Sequence, residues 1–134
     1  MKSFETVLAF WNEVWNAHNP AAAHQFVTDD VVLVVGGNEI RGKEKLMSWI
    51  AEFLVKVKDL AVEPIETFQN EDGTRVTSRW MLTGTNNGLL GTEADGQPIA
   101  MSGITVWEVD GDGKITRIWV ELASMEQYDR LLAR

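Results

Sequence analysis

The chain has 134 residues and no cysteine, which excludes disulfide bonds, thiolate catalysis and thiolate zinc sites. Hydrophobic residues make up 45% of the chain and charged residues 24%, which is typical of a globular domain large enough to bury a core. The formal net charge of −8 argues against nucleic acid or an anionic membrane as a partner.

The first predicted element is a helix of about four turns. Glu5 and Glu13 interrupt its apolar pattern, so the segment is not typical of a signal peptide. No apolar run approaches the ~18 residues of a membrane span. Together with the absence of cysteine, this predicts a cytoplasmic protein. The apolar face of the helix recurs at steps of three and four: Phe4, Val7, Leu8, Trp11, Val14, Trp15 and His18.

Two further helices and one strand are predicted before residue 60. Asn19 and Pro20 end the first helix and begin a short second one over about 20–27, because asparagine caps helices and proline suits the first helical position. The β-branched run 31–35 predicts a buried strand, and a turn follows at 36–38. A third helix begins after Gly42, with Trp49 beside its apolar positions Leu46, Ile50, Phe53, Leu54 and Val57.

From about residue 60 the apolar period changes to two. Strands are predicted over 61–68, 75–85, 99–109 and 114–122, and a last short helix over about 124–132. No repeat or linker interrupts the chain, so we expect one domain over residues 1–134. The order of elements predicts an α+β fold with helices on one face of an antiparallel sheet.

Two patterns that resemble metal sites have simpler interpretations. The sequence Asp110-Gly-Asp-Gly invites a calcium site, but Gly113 stands where an oxygen ligand is needed, so we predict a hairpin turn. His18 and His24 are too few for zinc, which takes three protein ligands even in a catalytic site. We therefore predict no metal site.

Strand parity indicates a candidate pocket. Trp80, Leu82 and Asn86 share one face of their strand. On the last strand one face carries Arg117, Trp119 and Glu121. If both faces turn toward the helices, indole walls surround a few polar groups, which is typical of small-molecule sites. Trp15, Trp49 and Phe53 on the predicted helices are further candidates for substrate contact.

Three residues are candidates for catalysis. A buried Glu121 would pair with Arg117 or have a raised pKa, and the second case makes a general acid or base. Asn86 could orient a carbonyl or a water molecule but cannot exchange a proton. His18 is a reserve base, or a residue with a structural role at the helix C-terminus. The alternative for Arg117 and Glu121 is an ion pair at a rim or dimer surface.

A series of short segments along the chain follows the pattern of a known family. They are WNAHN at 15–19, DDV at 29–31, IRGKE at 40–44, RWMLTGTNNG at 79–88, GQP at 96–98, SGI at 102–104 and DGKI at 112–115, with Trp119. In these segments the sequence resembles the SnoaL-like polyketide cyclase family of the nuclear-transport-factor-2-like superfamily. The resemblance implies a cone-shaped, curved antiparallel sheet with three N-terminal helices plugging a central cavity, often in a homodimer formed through the sheet. It also implies chemistry without a cofactor.

Both catalytic positions implied by the resemblance differ in this chain. The family histidine corresponds to Asn86, and the family aspartate falls at Ala123. Three functions remain open. The first is a cofactor-independent acid–base enzyme (cyclase, isomerase, dehydratase or hydrolase) acting on a small apolar, carbonyl-bearing substrate. The second is a protein that binds such a molecule without chemistry. The third is an interaction protein that uses its sheet surface.

Overall fold

A computed structural model of the chain describes residues 2–133. The helices are α1 (Ser3–Phe10), α2 (Lys43–Lys56) and α3 (Ser124–Leu132), with a π-helical turn at Trp11–Asn16 and 3-10 turns at Pro20–Gln25 and Leu89–Gly91. The strands are β1 (Val27–Val35), β2 (Asn38–Arg41), β3 (Val57–Gln69), β4 (Arg75–Asn86), β5 (Pro98–Val109) and β6 (Ile115–Leu122).

The strands form one six-stranded, curved and unclosed sheet in the order β2-β1-β6-β5-β4-β3. Every neighbouring pair is antiparallel except β1 and β6, which run parallel. The N-terminal helices pack on its inner face around one hydrophobic core. The predicted fold class, an α+β cone with N-terminal helices over a curved sheet, is confirmed. No helix within residues 2–133 is long and apolar enough to cross a membrane.

The first helix ends in a wider π-helical turn that is fixed to the edge of the sheet. The amide N–H of Ala17 donates to the carbonyl of Asn12, five residues earlier. The side chain of Asn16 donates to the carbonyl of Val62 at 2.9 Å and accepts from its N–H at 2.7 Å. Because β3 is an edge strand, this pair of bonds satisfies backbone groups that would otherwise be open to another chain.

Three boundaries differ from the sequence prediction because distant pairing decides them. The second helix ends at Gln25, and β1 begins at Val27, where it pairs with Ile115 of β6. Strand β3 begins at Val57, directly after α2, because Val57 pairs with Asn86. A short strand β2 follows the predicted turn at 36–38. Local patterns do not report such long-range contacts.

Strand β4 alternates as its period predicts. Trp80, Leu82 and Asn86 are buried on the inner face, whereas Arg79 and Met81 are exposed on the outer face. The predicted parity of this strand is therefore confirmed, and it directs Trp80 and Leu82 toward the helices.

Candidate functional site

A cavity lies between the helices and the inner face of the sheet, and we call it the tryptophan cavity. It is narrow: the centre of a water-sized sphere can move through about 40 Å³ of it, which is room for a few waters. Its wall consists of Phe10, Trp11, Trp15, Leu33, Leu46, Trp49, Ile50, Phe53, Val62, Trp80, Leu82, Thr105, Trp107, Ile118, Val120 and Leu122.

Five of the six tryptophans of the chain line this cavity. The π-helical turn supplies Trp11 and Trp15, because its first and fifth residues both face the sheet. The ring of Trp15 meets the ring of Trp49 edge to face, with centroids 6.0 Å apart. Trp11 lies against Trp107 at 5.2 Å and against Trp80 at 5.7 Å. Seven of the sixteen wall residues are aromatic, and their contacting rings form a surface suited to flat apolar molecules.

Thr105 is the only cavity-lining residue in the described chain that is neither aliphatic nor aromatic. Its hydroxyl oxygen accepts a hydrogen bond from the indole N–H of Trp80 at 2.9 Å. The indole N–H of Trp11 donates to Ser78 at 3.2 Å, and Ser78 in turn bonds the hydroxyl of Thr67 at 2.9 Å. These bonds fix two of the five indoles in place.

Gly103 lets the indole of Trp80 lie flat against strand β5. The two residues are directly paired across β4 and β5. A Cβ atom added at Gly103 would overlap the six-membered ring of Trp80. The glycine is therefore needed for close approach, and the position of Trp80 depends on it.

The indole nitrogen of Trp107 is buried and has no hydrogen-bond acceptor among residues 2–133. Trp107 is 1% exposed and lines the cavity between Phe10 and Trp11. Buried donors in proteins are almost always paired with a protein group, water or a ligand. This nitrogen therefore marks the part of the wall where a polar ligand atom would be stabilised.

The residues predicted to contact a substrate separate into two groups. The structure brings Trp15, Trp49, Phe53, Trp80 and Leu82 together in the wall of the cavity. Arg117 and Trp119 are not in that wall. Substrate binding by any of these residues stays a prediction.

The last strand faces opposite to our expectation. The cavity is lined by Ile118, Val120 and Leu122, so Trp119 and Glu121 lie on the outer face of the sheet. Parity shows which residues share a face but not which face is inward. The prediction that Trp119 and Glu121 face the helices is wrong. The physical reason is that the aliphatic side chains of this strand, those of Ile118, Val120 and Leu122, are the ones that pack toward the helices.

Arg117 pairs with Glu39 rather than with Glu121. Its guanidinium donates to the Glu39 carboxylate at 3.3 Å. Hydrogen bonds from Arg41 and then from Arg117 hold the pKa of the Glu39 carboxyl below its ordinary value. The guanidinium of Arg117 also lies 5.6 Å from the ring centroid of Trp119, and that of Arg75 lies 5.8 Å from it. Trp119 is thus half-buried under two cations on the outer face.

Asn86 is buried, but its side chain organises a loop. Its Oδ1 accepts from the N–H groups of Gly88 and Leu89, at 3.2 and 2.9 Å. Its Nδ2 donates to the hydroxyl of Thr92, to the carbonyl of Glu93 and to the carboxylate of Asp95, at 3.2, 2.8 and 3.0 Å. Within residues 2–133, both ends of the amide are already used, and Asn86 is not part of the cavity wall.

His18 lies at the end of the π-helical turn and is exposed. Its Nε2 carries the hydrogen, since it meets the carbonyl oxygen of Leu60 at 2.7 Å and a carbonyl can only accept. The backbone there has φ 52°, which ends the helix. His18 does not line the cavity. Throughout residues 2–133, no group of three or more His, Asp or Glu side chains converges to hold a metal ion.

The sequence interpretation missed Trp11, Thr105 and Trp107 as wall residues. Thr105 and Trp107 alternate on β5 with the same parity as Ile99 and Met101, which are buried. The predicted hairpin turn at 110–113 would pair Trp107 with Thr116, which has the same parity as Ile118, and in the structure a register shift at Glu108–Val109 moves the partner of Trp107 to Ile118. That pairing was the available signal for the inner face of both strands.

Comparison with known proteins identifies the family. The family model described as SnoaL-like domain matches residues 7–118. A comparison with curated protein sequences found no match. Among solved structures, a SnoaL-like polyketide cyclase, so named, from Jannaschia sp. CCS1 is 20% identical with a TM-score of 0.89, and the match covers 98% of this chain and 92% of that one.

Two other solved structures are similar to the chain, and one of them carries a different functional name. A protein named as a polyketide cyclase from Acidithiobacillus ferrooxidans is 24% identical with a TM-score of 0.84, covering 98% of this chain and 95% of that one. AclR from Streptomyces galilaeus, named as a hydroxylase, is 20% identical with a TM-score of 0.83, covering 98% and 96%. At these identities the structures show the shared fold alone. The family model, which spans most of the chain, shows that this protein belongs to the SnoaL-like domain family.

Proposed function

We propose that this protein binds a small, uncharged, largely apolar molecule in the tryptophan cavity. One observation carries the proposal: the cavity wall is made of aromatic and aliphatic side chains with a single hydroxyl, that of Thr105. Burial of apolar surface against such a wall is favourable at about 25 cal/mol per Å². The half-buried Trp49, Phe53, Val120 and Leu122 are the wall residues that would move to admit a ligand larger than the present space.

Binding is favoured over acid–base catalysis by the chemistry of the wall. None of the wall residues titrates near neutral pH, and a general acid or base must lie within hydrogen-bond reach of its substrate. Glu121 and His18 lie outside the wall, and the amide of Asn86 is engaged in its loop. A ligand in this cavity would be held and oriented by shape and by hydrogen bonds.

The names of relatives favour an enzyme as the second candidate. Two of the similar structures are named as polyketide cyclases and one as a hydroxylase. A cyclase, isomerase, dehydratase or hydrolase acting on a carbonyl-bearing substrate would use the same cavity. Such a reaction would require the wall to stabilise its transition state through Thr105 and the indole N–H groups rather than through a carboxylate.

Calorimetric titration with bromobenzene tests ligand binding. We expect one molecule to bind per chain. Val120→Thr adds a hydroxyl to the wall and should weaken binding by about three- to tenfold, because a polar group then faces an apolar ligand. Val106→Thr is the matched control, since Val106 is also half-buried but lies on the outer face of the sheet. Equal weakening in both variants, or no binding to the parent protein, would contradict the proposal.

We also propose that two copies of the chain pair through the outer face of the sheet. Strand pairing aligns one residue from each of five strands across this face, and these residues are Val34, Trp119, Val106, Thr77 and Phe68. Phe68 and the nearby Ile104 are about half exposed. Charges on this face pair within the protomer, Arg75 with Glu108 and Arg79 with Glu66, so a second copy can meet the face without leaving these charges unpaired.

We further propose that residues 1–134 form one SnoaL-like domain and that the protein acts in the cytoplasm. The common hydrophobic core of helices and sheet supports the single domain. The lack of cysteine supports the location.

A further inference from the structure

Two hydrogen-bond donors in the wall of the tryptophan cavity have no acceptor among residues 2–133. One is the indole N–H of Trp107. The other is the hydroxyl hydrogen of Thr105, because the oxygen of that group accepts from Trp80 and its own hydrogen meets no protein acceptor. Both side chains are 1% exposed. Because donors this deeply buried are almost always paired in proteins, the two groups would be stabilised by a partner that enters the cavity.

The two donors come from neighbouring positions on one face of the sheet. Thr105 and Trp107 are two residues apart on β5, so they point to the same face with about 7 Å between their Cα atoms. The indoles of Trp11 and Trp80 are already paired with hydroxyl oxygens. The polar groups left unpaired on this part of β5 are therefore donors within an apolar surface.

The complement of these donors in an apolar wall is an uncharged hydrogen-bond acceptor. A carbonyl oxygen has two lone pairs and brings no donor that would be left unpaired. An anion could also accept, but no wall residue carries a positive charge, and an unpaired buried anion is strongly disfavoured. Water that enters the free cavity can occupy the same position, and a ligand carbonyl would replace it.

We propose that Trp107 and Thr105 bind the carbonyl oxygen of an uncharged cyclic ketone, aldehyde or quinone, while the neighbouring indoles contact its ring. The inference rests on the proposed ligand-binding function and names the chemical class of the ligand. Trp107 is the principal donor, because its N–H has no other partner. Thr105 is the second donor and is held in orientation by Trp80.

Paired calorimetric titrations with 1-indanone and indane test the proposal, since the two probes share a skeleton and differ in the carbonyl. The measured quantity is the ratio of the indane Kd to the 1-indanone Kd. We expect Trp107→Phe to lower this ratio by about tenfold, the typical effect of one lost hydrogen bond to a buried group. Because Thr105→Val also frees the indole N–H of Trp80, it is made together with Trp80→Phe and compared with Trp80→Phe alone, and we expect a similar decrease. Thr105→Ser, which keeps the hydroxyl, should retain the ratio, as should Trp119→Phe on the outer face.

A second measurement uses the unaltered protein, in case a variant does not fold. The indole N–H resonance of Trp107 should move downfield on saturation with 1-indanone and not with indane. Binding of both probes with an unchanged ratio in every variant, and with no downfield shift, would overturn the carbonyl site while ligand binding stands. If neither probe binds the parent protein, both the carbonyl site and the proposed function are overturned.

Discussion

The indole N–H of Trp80 donates to the hydroxyl of Thr105 at 2.9 Å across strands β4 and β5. Both side chains are buried in the cavity wall. Gly103 allows this bond, because its missing side chain is the space in which the Trp80 ring lies. The bond leaves the Thr105 hydrogen available for another partner. Gly103 thus allows Trp80 to donate to Thr105, two residues further along β5, and thereby leaves the hydroxyl hydrogen of Thr105 free in the cavity wall.

Gly103→Ala should destabilise the protein by about 1–3 kcal/mol, because the added methyl group forces the Trp80 ring out of its place. The measurement is the free energy of unfolding in urea. Gly111→Ala is the matched control, since a Cβ there meets nothing within 4 Å and its backbone is not in the left-handed region; it should change stability by less than about 0.5 kcal/mol. Equal effects at the two glycines would contradict the role of Gly103.

Asn86→Asp should destabilise the protein by about 3 kcal/mol or more. The carboxylate cannot donate to the carbonyl of Glu93 or the carboxylate of Asp95, and it places a charge in a buried site. Thermal unfolding and hydrogen exchange at the Leu89 amide report the effect.

Asn87→Asp makes the same chemical change one residue later and serves as the control. Its Nδ2 makes one bond, to the carbonyl of Val55 at 2.9 Å, at a partly exposed position. We expect a loss of about 0.5–1.5 kcal/mol there. If Asn86→Asp is tolerated as well as Asn87→Asp, the loop does not depend on the Asn86 amide.

Much of this arrangement could be predicted from local patterns, and the rest depended on contacts between distant residues. The period of two on β4 grouped Trp80 with Leu82, and Arg75 and Arg79 on the opposite face marked that opposite face as the outer one. On β6 both faces carry apolar residues, so the inward set followed only from its pairing with Trp107. The polar residues beside Trp119 are the signal, in retrospect, that its face is outward.

Asn86 shows a second limit of the sequence. Strand parity correctly placed its side chain on the inner face, but parity does not indicate whether a buried amide meets a ligand or its own loop. The turn residues Gly88 and Gly91, both with positive φ, bring the following backbone back to the amide. That closure depends on the conformation of the whole segment rather than on any single pair of residues.

Glu121→Gln should leave ligand affinity unchanged within about twofold, because Glu121 is exposed on the outer face. The affinity for bromobenzene should also be constant between about pH 5 and 8, because no wall residue titrates in that range. Calorimetry at several pH values measures both. A marked pH dependence that Glu121→Gln removes, or a large loss of turnover on a carbonyl substrate, would instead support the catalytic prediction for Glu121.

Ile104→Lys should shift the protein from dimer to monomer in sedimentation at micromolar concentration. Ile104 lies centrally on the outer face, between Arg79 and Glu121 of the neighbouring strands, and a second copy would have to bury the new charge. Val55→Lys is the control, because Val55 is more exposed than Ile104 but lies on α2, away from that face. A parent protein that sediments as a monomer would contradict the proposed pairing.

The most direct test of ligand binding is a crystal structure of the protein grown with bromobenzene, in which anomalous scattering locates the bromine. We expect a bromine peak inside the tryptophan cavity, among Trp15, Trp49, Trp80 and Trp107. A peak on the outer face beside Trp119, with none in the cavity at saturating concentration, would contradict the proposal.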